Sequence, residues 1–100
     1  MVKHIVFFKL TKFSSLKEKN LQMKRLDEIF SPLGHLLPFM VDFKTGINYN
    51  EASFAWDFVI DSIFKNKEDL DKYMDSNEHL DAVKTATVIE KIKAVIDYEF

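Results

Sequence analysis

One hundred residues is the usual size of one domain, so residues 1–100 read as a single unit. A net charge of −2, carried by interspersed Lys, Asp and Glu, lacks the basic footprint of a nucleic-acid binder, and no apolar run is long enough to span a bilayer. The absence of cysteine excludes disulfides, thiolate catalysis and Cys-ligated metals, while 47% apolar residues with ten Phe is rich for so small a core and points to a subunit contact.

Met1-Val2-Lys3-His4-Ile5 runs straight into a strand-like pattern without the layout of a signal peptide, so the expected compartment is the cytoplasm. His4 to Leu10 is dense in β-branched and aromatic residues. His4, Val6, Phe8 and Leu10 share one parity and Lys3, Ile5, Phe7 and Lys9 the other, so the strand should be covered on both sides. Ser15-Leu16-Lys17-Glu18 has the spacing of a capping box, with Ser and Glu satisfying each other's end of a new helix. Leu16, Met23, Leu26, Phe30 and Leu33 follow at helical spacing until Ser31-Pro32-Leu33-Gly34 breaks the helix. His35 to Pro38 reads as a loop, with His35 at the surface.

A second strand is expected over about Met40 to Ile47, with Val41, Phe43, Thr45 and Ile47 on one face. Asn48 to Ser53 is a polar turn. Phe54 to Phe64 reads as a third strand, with Phe54, Trp56, Phe58 and Ile60 facing the helices and Asp57, Val59 and Asp61 facing away. Asn66 is a plausible N-cap for a short helix through Leu70 and Tyr73, with Asp69 in its first turn. Ser76-Asn77-Glu78 interrupts it, and a further helix runs from about His79 through Val83, Ala86 and Ile89. Lys93 to Phe100 closes as a strand, with Ala94, Ile96, Tyr98 and Phe100 alternating against Val95, Asp97 and Glu99.

The order β-α-β-β-α-β is that of a ferredoxin-like α+β fold, a four-stranded antiparallel sheet with helices on one face. The other sheet face is left bare and, on the first strand, apolar. Pairing two such sheets hides both faces, and two four-stranded sheets can close into an eight-stranded α/β barrel. A homodimer is therefore expected from the pattern.

Val2-Lys3-His4-Ile5-Val6-Phe7-Phe8-Lys9-Leu10, Gly46-Ile47-Asn48-Tyr49-Asn50 and Trp56-Asp57-Phe58-Val59-Ile60-Asp61-Ser62-Ile63-Phe64 resemble segments of the stress-responsive A/B-barrel (dimeric α/β-barrel) family. So do Leu70-Asp71-Lys72-Tyr73, Glu78-His79 and Val95-Ile96-Asp97-Tyr98-Glu99, in order along nearly the whole chain. The resemblance implies dimers, sometimes larger, and many members have no known reaction. A plant polyketide cyclase is similar to this fold, and haem-degrading and quinone-forming monooxygenases share the barrel. The cyclase closes a poly-β-keto acid by aldol chemistry with a His–Tyr pair, matched here by His79 and Tyr73; a first-strand His matches His4. Two positions depart from the pattern. Asp75-Ser76 stands where the family has His-Pro, and Phe58 stands where the cyclase has a third-strand pocket His.

Three His are the only groups that titrate near neutrality unaided. His4, on an apolar parity, either fills the core with a hydrogen-bonded ring or lines a pocket beneath the helices. A turn at Ser76-Asn77 brings His79 towards Tyr73, where a His base beside an enolate-steadying Tyr is sensible acid–base chemistry; a His held by local backbone groups is the simpler alternative. His4, Tyr73 and His79 are thus the candidate catalytic residues, and Val6, Phe8, Trp56, Phe58 and Ile60 the candidate apolar lining. Asp57 and Asp61, on one strand face, are roughly 13 Å apart and too far for an acid–base pair; Asp97 could approach one of them and hold a cation, although ordinary pairing with Lys is the simpler expectation. Three scattered His form no structural zinc site, and no glycine-rich phosphate loop, HExxH motif or nucleophile elbow is present, so neither metal nor cofactor is expected. Two function classes result. One is a homodimeric stress-response domain of unassigned activity, with room for a small apolar or carbonyl-bearing ligand between sheet and helices. The other is an enzyme, a polyketide-cyclase-like aldol catalyst or a small monooxygenase.

Overall fold

A computed structural model describes residues 1–100. The elements are β1 (Val2–Leu10), α1 (Leu16–Phe30), α2 (Leu33–Leu36), β2 (Met40–Ile47), β3 (Phe58–Phe64), α3 (Lys67–Asp75), α4 (Asn77–Ala86) and β4 (Lys91–Glu99). They form one antiparallel sheet in the order β2-β3-β1-β4, the ferredoxin-like arrangement. β1, apolar on both faces, occupies a central position between β3 and β4. No helix is long and apolar enough to cross a membrane.

The core lies between the helices and one sheet face. Val2, His4, Val6, Phe8 and Leu10 are all buried there, with Phe58, Ile60, Ser62 and Phe64 beside them on β3. Met23, Leu26 and Phe30 come down from α1, Tyr73 and Leu70 from α3, and Ala82 and Ala86 from α4. The opposite face carries Ile5 and Phe7, set against Ile96 and Ala94 on one side and Asp61 and Val59 on the other. β4 is reversed relative to a strand that closes a monomeric core. Its Ile92, Ala94, Ile96 and Tyr98 point away from the helices, while Lys91, Lys93 and Asp97 point towards them, since directly opposed residues share a face.

Beyond α4 ending at Ala86 rather than Ile89 and β4 starting at Lys91 rather than Lys93, four details differ from the sequence reading. β3 begins at Phe58 rather than Phe54: β1 and β2 end their pairing with it there, through Phe8 and Ile47. Phe54 is 80% exposed, and residues 54–57 form a loop tied down by the Ala55 N–H donating to the Ala52 carbonyl. Asp57 therefore does not share a face with Asp61. It is buried, accepts the Leu10 N–H at 2.7 Å and meets Lys19 of α1 at 3.0 Å, whereas Asp61 pairs with Lys3 on the bare face. The Ser15 hydroxyl accepts the Glu18 N–H as expected, but the Glu18 carboxylate returns to the N–H of Ser14 instead of Ser15. His35, exposed as expected, sits in the single turn of α2 rather than in a loop.

Candidate functional site

The site is built around the interruption between α3 and α4. Ser76 has extended backbone (φ −66°, ψ 147°) and serves both helices at once. Its N–H and hydroxyl both donate to the Tyr73 carbonyl, at 3.1 and 2.7 Å, closing α3. Its hydroxyl oxygen also accepts the His79 N–H at 3.1 Å, opening α4. Tyr73, in the last turn of one helix, thereby meets His79, in the first turn of the next, with ring centroids 4.6 Å apart.

The His79 Nδ1 lies 3.0 Å from the Met74 carbonyl. A carbonyl can only accept, so Nδ1 carries the proton and the neutral ring keeps its lone pair on Nε2. Burial lowers the His79 pKa, and the Lys93 and His4 charges push the same way against the Met74 bond, favouring that neutral form. Tyr73 is wrapped by Phe64, Phe43 and His4 at centroid distances of 5.4, 6.1 and 6.1 Å. Burial raises its phenol pKa, so the hydroxyl stays protonated and able to donate. The hydrogen bonds at the helix break use the Tyr73 carbonyl and the His79 ring, none the Tyr73 hydroxyl. His4 is buried on β1, and its Nδ1 bonds the carboxylate of Asp97, its direct cross-strand partner on β4. A carboxylate on Nδ1 holds an imidazole in one orientation and one tautomer.

These groups border one cavity of about 180 Å³ between the sheet and the α3–α4 break. It is lined by His4, Val6, Phe8, Ile60, Tyr73 and His79, together with Lys93 and Asp97 of β4. Six of the eight residues expected from sequence thus meet at one place. The other two do not. Trp56 precedes β3 and does not border the cavity, and Phe58 is buried deeper, against Phe8 and Phe30. Sequence reasoning also missed the charged lining groups, Asp71 of α3 and two on β4. Asp97 is held by His4 rather than turned towards Asp57 or Asp61, and Lys93 had no assigned role; the β1–β4 register and the parity shared with Val95 are the signals that locate both. No three His, Asp or Glu side chains converge as metal ligands do. The arrangement combines a proton acceptor, a proton donor and an apolar wall, which suits binding and polarising a carbonyl.

The model of the stress responsive A/B barrel domain matches residues 2–100. The chain belongs to this family. No curated protein matches it. Among solved structures, it is similar to a dimeric ferredoxin-like protein of unknown function from Bacteroides fragilis NCTC 9343. That match has 31% identity and a TM-score of 0.84, over 99% of this chain and 95% of that one. A dimeric ferredoxin-like protein of unknown function from Thermobifida fusca gives 15% identity and 0.81, over 99% and 90%. The hydroxynitrile lyase of Passiflora edulis gives 20% and 0.66, over 99% and 95%, a likeness of fold. Within this A/B-barrel domain, the Ser76 hydroxyl caps α4 at the helix break.

Proposed function

We propose that this A/B-barrel domain is a homodimer, joined through the bare sheet faces, that binds a small, mainly apolar, carbonyl-bearing ligand between the sheet and the α3–α4 break. The dimer is supported by the apolar parity of β4 turned away from its own helices and by structural neighbours described as dimeric. Ligand binding is carried by one observation: an unengaged Tyr73 hydroxyl and a His79 ring with its Nε2 lone pair border the same cavity. A ligand carbonyl there accepts from Tyr73, and the hydrocarbon part packs on Val6, Phe8 and Ile60. The volume is below the roughly 300–1,000 Å³ of drug-sized sites, so the part of the ligand held here is small.

A catalytic reading draws on the same pair. His79 Nε2 is a base positioned to take a proton α to a carbonyl that Tyr73 polarises, the acid–base step of an aldol closure. Calorimetric titration of the domain with 2-octanone and a series of aromatic ketones tests the ketone binding that both readings require. Tyr73→Phe is expected to weaken ketone binding about tenfold, the worth of the hydrogen bond its hydroxyl donates to the carbonyl, with little change in the urea midpoint because that hydroxyl has no partner within the chain. If no ketone binds the parent protein, or Tyr73→Phe binds ketones as tightly as the parent, the ligand reading falls.

A further inference from the structure

The groove continues past His79. Phe8, Phe30, Val83 and Lys93 border the cavity at the helix break and also a second one, of about 210 Å³, completed by Ala86, Thr87 and Lys91 beneath α4. α4 packs chiefly on α1, α2 and α3 rather than on the sheet, which leaves this space open above β1 and β4. No carboxylate lines the second cavity.

Its two cations are differently placed. The Lys91 Nζ donates to the carbonyls of Ala86 at 2.6 Å and Ile89 at 3.0 Å and lies 5.4 Å over the Phe8 ring, leaving one of three N–H groups unspent. Lys93, two residues on and facing the same way, borders both cavities. None of the chain's ion pairs uses either lysine. Burial and then the Lys93 charge hold Lys91 below the usual ammonium range, and Lys93 also disfavours the charged form of His79. The acids of the groove gather at the other end. Asp71 and Asp97 are shared with a surface cavity beside Val2 and Glu99, and Asp97 is already taken by His4.

We propose that the two cavities form one groove and that Lys93, with Lys91, is an anion site at its α4 end, making the ligand an apolar monocarboxylate. The carboxylate lies at the two ammonium groups, and the hydrocarbon runs over Phe8, Val6 and Ile60 to the carbonyl at its far end, which accepts from Tyr73; octanoate and 2-octanone each probe one end. Two unpaired cations above an apolar floor repel each other, and a bound carboxylate converts that repulsion into charge-assisted hydrogen bonds. A cavity near 150 Å³ holds roughly one benzene ring, so a body of about six to eight carbons fits the groove.

This inference rests on the ligand-binding reading above, and three probes of equal chain length separate the two. Octanoate, 2-octanone and octylamine are titrated calorimetrically into the domain and into Lys93→Gln, a substitution of an exposed residue whose folding is checked by its urea midpoint. Octanoate is expected to bind about tenfold tighter than 2-octanone, with no detectable binding of octylamine. Lys93→Gln is expected to remove that preference, bringing octanoate to the affinity of 2-octanone measured in the same variant. Equal affinities for octanoate and 2-octanone, or an unaffected octanoate affinity in Lys93→Gln, overturn the lysine site while the groove reading stands. Failure of all three probes on the parent domain overturns both.

Discussion

Tyr73 and His79 are six positions apart, a spacing that sends two side chains to different sides of an unbroken helix. Only because the backbone turns out of the helix at Ser76 do the rings come to 4.6 Å. The residues and the break were both visible in the sequence; the distance was not, because it depends on how α4 leans on its neighbours. Phe58 shows the opposite outcome. Its parity and burial followed from alternation with Ile60, yet it packs behind the cavity, 6.3 Å from Phe8 and 6.4 Å from Phe30 by ring centroid. Phe58→Ala is therefore expected to lower stability by about 3–5 kcal/mol, the range for a core aromatic truncation. Urea titration measures it, and a loss below about 1 kcal/mol means that the ring contributes little to the core. Trp56 went astray for a simple reason: alternation continues through Phe54 and Trp56, but a strand extends only as far as a neighbour pairs with it.

At the scale of elements, the caps at Ser15 and Asn66 were legible, whereas Ser76 read only as an interruption and proves to be the cap of α4. Ser15, Asn66 and Ser76 accept the N–H three residues on, as side chains at helix starts do. α2 was hidden because Pro32 and Gly34 look like breakers. Proline is tolerated at a helix start, and Gly34 serves packing, since a Cβ there would sit 3.2 Å from the Phe43 ring of β2. The capping role of Ser76 has a measurable consequence. Ser76→Ala removes an acceptor of the His79 N–H and a donor to the Tyr73 carbonyl, and is expected to cost about 1 kcal/mol in urea. Binding of 2-octanone should weaken alongside, because the same hydroxyl sets the Tyr73–His79 spacing. Unchanged stability and binding in the variant would show that the backbone N–H of Ser76 alone suffices for the break.

At the scale of the whole molecule, the deciding feature is a sheet with one face under helices and the other apolar and bare. Ile96 is 53% exposed, opposite Ile5 in the middle of that face. Light scattering is expected to give twice the 11.8 kDa chain mass for the parent protein. Ile96→Lys is expected to return the single-chain mass with the fold retained, because an ammonium group set between the two sheets loses its hydration. A monomer mass for the parent protein, or a dimer that survives the substitution, rules out this face as the contact.

Hydrophobic periodicity, capping residues and turn chemistry determined the order of elements, the ferredoxin-like topology and the side of β1 on which His4 lies. These are local properties, set by neighbours a few residues away. Tertiary structure alone decided that Asp97 would hold His4, that Lys93 would enter the groove and that the third strand would begin at Phe58. Each depends on the register between strands distant in the chain, as when residue 4 meets residue 97. Alternation assigns a residue to one of two faces; which partner it meets on that face is set by long-range pairing, which no local pattern records.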